Sequence, residues 1–327
     1  MKGLELARKY YEECGADLVK TQFSEYAEKI AFGLCGEGSE CLGFDDELSR
    51  DHDFGAAFCM WLTDEDYESI GEKLNEAYRT LPETFMGYKR REIYSNNEQR
   101  VGAMRTSDFY RKFTGLARAP QILTEWRRIP EHFLSIVTSG EVFKDELGEF
   151  TEIRTSLRAF YPEDIRIKKL VARVATMAQA GQYNYGRCIK RKEFVAASCA
   201  LSEFVKATMS AVYLINKKYM PFYKWAHRGM RDLPLLNDIF YRLGRIVEIP
   251  MNSNINNSDA TSSQFMSPES YYKTIENEIE EICISIRDIL IEQGLTDSEE
   301  SFLLAHCQSM MQRIKNTDLR NMSVFAE

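Results

Sequence analysis

The chain has 327 residues, long enough for two ordinary domains, and its 44% hydrophobic and 28% charged content excludes disorder as its main state. With 42 basic against 50 acidic side chains it carries a net charge of -8, which argues against nonspecific binding to a nucleic-acid backbone, where cations must replace released counterions. The mixed-charge start MKGLELARKYYEECG and the lack of an apolar run of about 18 residues imply a cytoplasmic protein with no membrane partner, and the eight cysteines form no CxxC pair to signal zinc or disulfides.

In chain order, Leu4, Ala7 and Tyr11, then Leu18, Phe23, Tyr26 and Ile30, recur at helical spacing on either side of Gly15, so two helices with a glycine break are predicted. IAFGLCGEGS reads as a strand emptying into a tight loop, and DFGAAFCMWL as a strand covered on both faces. Asp64 offers the N-cap of a helix that Pro82 stops. KRREIYS and RVGAMRTS alternate as strands around the turn NNEQ; Thr106 or Ser107 caps a helix ending at Gly115, and GEVFKDELGEFTEIR reads as a hairpin turning near Gly148.

Beyond Pro162 the periodicity is helical, with Ile275, Ile279, Ile282, Ile286 and Ile289 on one stripe, Gly294 as a C-cap and Ser298 capping a last helix. NSNINNSDATSSQ reads as a polar surface loop. The expectation is an α+β protein: a small mixed-sheet α/β domain over 1–120, then a hairpin and α-helical bundle domain over 121–327.

The stretch GEGSECLGFDDELSRDHDFG, starting at Gly36, carries the densest chemistry. Residues two apart on a strand share a face, with roots roughly 6 to 7 Å apart, so Asp51 and Asp53 can converge on one divalent ion while His52 points away. Paired carboxylates suit Mg2+, which keeps waters or phosphate oxygens in its other positions. Gly36, Gly38 and Ser39 upstream allow backbone N–H groups and a hydroxyl to approach phosphate oxygens. Arg50 either neutralises a phosphate or pairs with Asp51, and Asp45 and Asp46 read as turn or surface residues. The alternative is a solvated acidic loop leading into a strand.

Gly38, Ser39, Asp51 and Asp53 together resemble the signature of the nucleotidyltransferase superfamily of the DNA polymerase β type: a Gly-Ser loop, then Asp-x-Asp about ten residues on. The later motifs YPEDIR, GQYNYGR and YMPFYKW extend the resemblance to a bacterial family of uncharacterised proteins with a nucleotidyltransferase core before a helical domain, a layout similar to antibiotic nucleotidyltransferases. The resemblance implies Mg2+-dependent transfer of a nucleoside monophosphate, by default AMP from ATP, to a hydroxyl of a small molecule or protein, with pyrophosphate released. It assigns Asp51 and Asp53 to the metal and Ser39 to the β- or γ-phosphate. The family's third carboxylate has no match in VGAMR, which leaves Glu92 as the substitute, and Glu152, Glu163 and Asp164 are the acids near the join from which a general base is sought, with Glu163 among the catalytic candidates.

Gln182, Asn184 and Arg187 line a nucleotide or acceptor pocket or else form a polar helix junction; Lys224, beside His227 and Arg228, belongs to a phosphate-binding patch or an aromatic corner. A second reading is a catalytically degenerate nucleotide-binding module whose helical domain serves an interaction.

Overall fold

The computed structural model describes residues 1–50, 54–94, 99–252 and 268–327 and divides into two compact units, Met1–Phe160 and Tyr161–Glu327. The architecture is α+β, with a small mixed sheet in the first unit and helices throughout the second. The division falls forty residues beyond the boundary expected at 120, because residues 121–160 pack into the sheet unit.

The first unit opens with α1 (Gly3–Tyr10) and α2 (Ala16–Gln22), joined by a single wide helical turn, Tyr11–Gly15. Gly15 keeps helical dihedrals, so the expected break does not occur. Its role is close approach: a Cβ there would lie 2.4 Å from Cζ of Phe58. The sheet follows, with β1 (Ala31–Leu34) and β2 (Cys59–Leu62) buried at every position, as their unbroken apolar runs require. α3 (Asp64–Arg79) is capped by Thr63, whose hydroxyl accepts from the Asp66 N–H at 3.1 Å, one residue earlier than expected. β3 (Thr84–Phe85) and β4 (Tyr88–Lys89) form a two-stranded hairpin, and the strand expected over KRREIYS ends there apart from a bridge between Arg90 and Ala56. β5 (Gly102–Arg105) runs into α4 (Thr106–Thr114), which Gly115 closes with φ 75°.

The chain then forms α5 (Leu123–Arg128), α6 (Glu131–Thr138), β6 (Glu141–Lys144) and α7 (Glu149–Arg158). Among the described residues the main sheet has the order β5-β2-β1-β6, with β2–β5 parallel and β1 antiparallel to both neighbours, Ala31 facing Trp61 and Gly33 facing Cys59. The hairpin expected around Gly148 is thus half right. β6 is a strand, but Asp145 accepts the N–H groups of Gly148 and Thr151, both at 2.8 Å, and starts a helix where a return strand was expected.

Arg154, projecting from α7, is buried and donates to the carbonyls of Val137, Thr138, Ser139 and Gly140, each at 2.9 Å. Val137 and Thr138 carry orphan acceptors at the end of α6, and Ser139 and Gly140 form the turn beyond it, so one guanidinium completes the helix terminus and fixes the turn into β6. The same turn meets the first loop, through Ser139 Oγ to the Gly36 carbonyl at 3.2 Å and the Gly140 N–H to the Cys41 carbonyl at 2.7 Å.

In the second unit α8 (Glu163–Met177) continues through a wide helical segment, Ala178–Tyr185, into α9 (Gly186–Lys190), and packs along α10 (Phe194–Ile215). α10 is apolar and long enough to pass for a membrane span, and its half from Ala207 to Ile215 is buried within the protein. α11 (Tyr223–Met230), α12 (Asp238–Asn252), α13 (Pro268–Glu292), α14 (Leu304–Gln312) and α15 (Thr317–Arg320) complete it. The isoleucine stripe of α13 is buried as predicted, and Gly294, with φ 66°, ends that helix. Ser298 does not cap α14, which starts at Leu304 after Leu303. The surface loop expected over NSNINNSDATSSQ falls, beyond Asn252, outside the described residues.

Arg154→Met removes the donors from one buried and three partly buried carbonyls, and a loss of about 1–3 kcal/mol for the buried group, with smaller losses where water can substitute, puts the destabilisation at about 3 kcal/mol. A urea titration is expected to show the first unit's midpoint falling, and an unchanged midpoint would refute this role.

Candidate functional site

Asp51, His52 and Asp53 lie outside the described residues, so the geometry begins with the loop that precedes them. β1 delivers the chain to Cys35, and the next residues turn away from the sheet with Gly36 at φ 115° and Gly38 at φ 131°. Those dihedrals disfavour any side chain carrying a Cβ, which explains both glycines. Ser39 is half-buried; its carbonyl accepts from the N–H groups of Leu42 and Phe44, at 3.2 and 2.9 Å, while its hydroxyl has no hydrogen-bond partner among the described residues. The loop closes on a 3-10 turn, Leu48–Arg50, in which Asp46 Oδ1 accepts from the backbone N–H and hydroxyl of Ser49, both at 3.1 Å. Arg50 is the last residue of that turn.

Two acids of the loop are buried where surface positions or no role had been expected. Asp45 accepts the Gly3 N–H at 3.0 Å and pairs with Lys2 at 3.4 Å, supplying the acceptor that the first turn of α1 needs. Glu40 lies against Gly38, where a Cβ would fall 2.5 Å from both carboxylate oxygens, and its Oε1 accepts from Arg91 Nη1 at 3.0 Å. Both side chains of this pair are about nine-tenths buried. Burial pushes the Glu40 carboxyl above its ordinary range, and the Arg91 guanidinium offsets that only in part. Sequence reasoning missed Glu40 and Arg91 because fifty-one positions separate them. The available signal was an acid directly after Gly-Ser in an otherwise apolar stretch.

Glu92 follows Arg91 and faces the other way. It is two-thirds exposed and sits 4.0 Å from Arg90, with no contact to the loop among the described residues. Arg90 itself donates to the carbonyls of Tyr78, Arg79 and Leu81 at the end of α3.

On its other side the loop borders a cavity of about 800 Å3 between α3, β5 and α4. Gly36 and Glu37 form part of its wall; Gly38 and Ser39 do not. Its apolar lining comes from Cys35, Ile93, Met104, Phe109 and Phe113, and its cations are Arg79, Arg100, Arg105, Arg111 and Lys112. Glu37 Oε2 is 2.9 Å from Lys112 Nζ and 3.7 Å from Arg100 Nε, and Asp108 is similarly held by Arg111 at 2.8 Å and Arg105 at 3.7 Å. That volume is on the scale of small-molecule sites.

The candidates in the second unit are largely committed to packing. Glu163 makes a two-point contact with Arg166, at 2.9 and 2.5 Å, and this hydrogen bonding holds its carboxyl below the ordinary range. Asp164 accepts the N–H groups of Lys315 and Asn316, at 3.0 and 2.8 Å. Glu152, on α7 of the first unit, is exposed. Gln182 joins three segments: its Nε2 donates to Glu280 and to the Ser301 carbonyl, and its Oε1 accepts from Leu303, all at 2.9 Å. Arg187 lies over the Tyr183 ring at 4.7 Å, Asn184 is half-buried, and Lys224 is exposed above Trp225 at 5.6 Å. The helix-junction alternative therefore describes Gln182.

Comparison with known proteins adds the following. A family model described as a domain of unknown function (DUF4037) matches residues 126–226. A search of curated proteins finds no match. Among solved structures, the chain is similar to a nucleotidyltransferase-like protein from Exiguobacterium sibiricum 255-15, at 14% identity over 91% of this chain and 90% of that one, with a TM-score of 0.37.

The Glu40 shift has a pH signature. A carboxyl whose folded pKa is raised adds stability below its ordinary value of 4.5, and that stability is lost as pH rises through the folded value. The Tm of the wild type, taken relative to Glu40→Gln, should therefore fall from pH 4.5 upward. A difference that stays flat or rises across pH 4 to 7 contradicts the burial argument.

Proposed function

We propose that the protein is a nucleotidyltransferase that moves a nucleoside monophosphate, AMP from ATP by default, to a hydroxyl of a small molecule or protein. The observation that carries this reading is the loop after β1. Two glycines in the left-handed region and a serine hydroxyl unpartnered among the described residues occur in the order and spacing, relative to Asp51 and Asp53, of the nucleotidyltransferase signature. Backbone N–H groups of Gly36–Ser39 and the Ser39 hydroxyl would receive phosphate oxygens, and the Glu40–Arg91 pair would hold that loop from behind. Asp51 and Asp53 would hold Mg2+, which suits a carboxylate donor set and supplies charge neutralisation of the triphosphate when bound. The acceptor oxygen forms a bond to the α-phosphorus, the α–β phosphoanhydride bond breaks, and pyrophosphate leaves.

The second reading, a degenerate nucleotide-binding module, draws on the acids. Glu92 faces solvent beside Arg90, and β5 reads Gly102, Ala103, Met104, Arg105 with no carboxylate. Glu163 is engaged by Arg166, and a carboxyl held below its ordinary range is a weaker base. Arg50, directly before Asp51, would neutralise a phosphate of the bound triphosphate.

Pyrophosphate release and Mg2+-dependent ATP binding, measured side by side, separate the readings. Binding with turnover supports the transferase; binding without turnover for any hydroxyl acceptor supports the degenerate module. Under either, Asp53→Ala should abolish Mg2+-dependent binding, and Ser39→Ala should weaken it about tenfold, the scale of one hydrogen bond to a charged group. Equal binding by wild type and Asp53→Ala would sink the site assignment.

A further inference from the structure

The cavity beside the loop shares only the first two residues of the proposed phosphate cradle. Only Gly36 and Glu37 reach its wall, whereas Gly38 turns toward the buried Glu40–Arg91 pair. A ligand seated there touches Gly36 and Glu37 and leaves Gly38 and the Ser39 hydroxyl to the nucleotide. The lining is amphipathic in a particular way: Phe109 and Phe113 are buried in its interior, while Arg111, Lys112 and Arg100 are partly exposed at its edge. Five cations against the three acids Glu37, Glu72 and Asp108 leave an excess of positive charge on the wall of a protein that is acidic overall.

We propose that this cavity binds an anionic ligand of the phosphate class carried on an apolar body, and that, on the nucleotidyltransferase reading on which this part rests, the ligand is the acceptor and not the nucleotide. Arg111, Lys112 and Arg100 receive the anion at the rim; Phe109, Phe113 and Met104 face the apolar part. Glu37 is the internal stand-in for that anion. Its carboxylate occupies Lys112 and Arg100 in the unliganded protein. An incoming anion takes over the two cations and releases the Glu37 side chain.

The test titrates the full-length protein with inorganic tripolyphosphate in metal-free buffer by calorimetry, so that no turnover is needed and failure of the transferase assay leaves it standing. Wild type and Asp53→Ala should bind alike, the Arg111→Ala/Lys112→Ala double variant about tenfold more weakly, and Glu37→Gln several-fold more tightly because the competing carboxylate is gone. The gain in Glu37→Gln is a readout that misfolding does not produce. Absence of binding to the wild type, equal binding by the double variant, or loss in Asp53→Ala would each overturn the proposal. Repeating the titration with saturating Mg2+ and a non-hydrolysable ATP analogue distinguishes the two sources of phosphate: retained binding supports a separate acceptor site, and competition assigns the cavity to the nucleotide's own triphosphate and overturns it.

Discussion

A carboxylate taken out of water must be neutralised, and the first unit meets that demand at the tip of its first loop. Glu40 is buried beside Gly38 and held by Arg91, itself buried. Breaking such a pair by removing one partner costs about 3–5 kcal/mol, because the other charge is left stranded, so the two segments that carry it are bound to one arrangement. The pair requires a bare Cα at Gly38 and another at Gly3, where a Cβ would lie 2.6 Å from that of Glu40. The loop, the N-terminus of α1 and the segment after β4 are thereby locked together, and the left-handed turns at Gly36 and Gly38 persist within that lock.

A second lock acts from the other flank. Arg154 gathers the carbonyls at the end of α6, and the turn it stabilises presents Ser139 and Gly140 to the Gly36 and Cys41 carbonyls. The loop is therefore gripped on both sides by buried charged side chains, Glu40 and Arg91 through their mutual hydrogen bond and Arg154 through four. The proposed role in phosphate binding would need N–H groups fixed before the ligand arrives, and this bracing engages the loop without using the Ser39 hydroxyl.

The second unit solves a different problem. Its polar motif residues are consumed in joining helices: Gln182 spans three segments, Asp164 collects the N–H groups before α15, and Glu163 is held by Arg166. The wide helical turn at Ala178–Tyr185 shares a packing contact with the one at Tyr11–Gly15. In each a glycine lies against a phenylalanine ring, Gly181 against Phe204 and Gly15 against Phe58, at distances that admit no Cβ.

Periodicity and apolar runs were enough to identify β1, β2, the buried stripe of α13, the helical second half and the class of the fold, because each depends on interactions within a few residues of chain or on burial of one face. The loop after β1 was legible for the same reason: left-handed glycines are a local demand. What sequence alone misjudged were features settled by partners far along the chain. Whether residues after Gly148 return as a strand depends on Asp145 and on the carbonyls awaiting Arg154; whether Gly15 breaks a helix depends on Phe58. Which acid of the first loop is buried depends on Arg91, fifty-one residues later, and no local pattern encodes a pairing at that separation. Residue types and spacing thus determined the candidate chemistry, while tertiary structure decided which charges are spent on holding the fold and which cations face a cavity, since only packing brings opposite charges into reach.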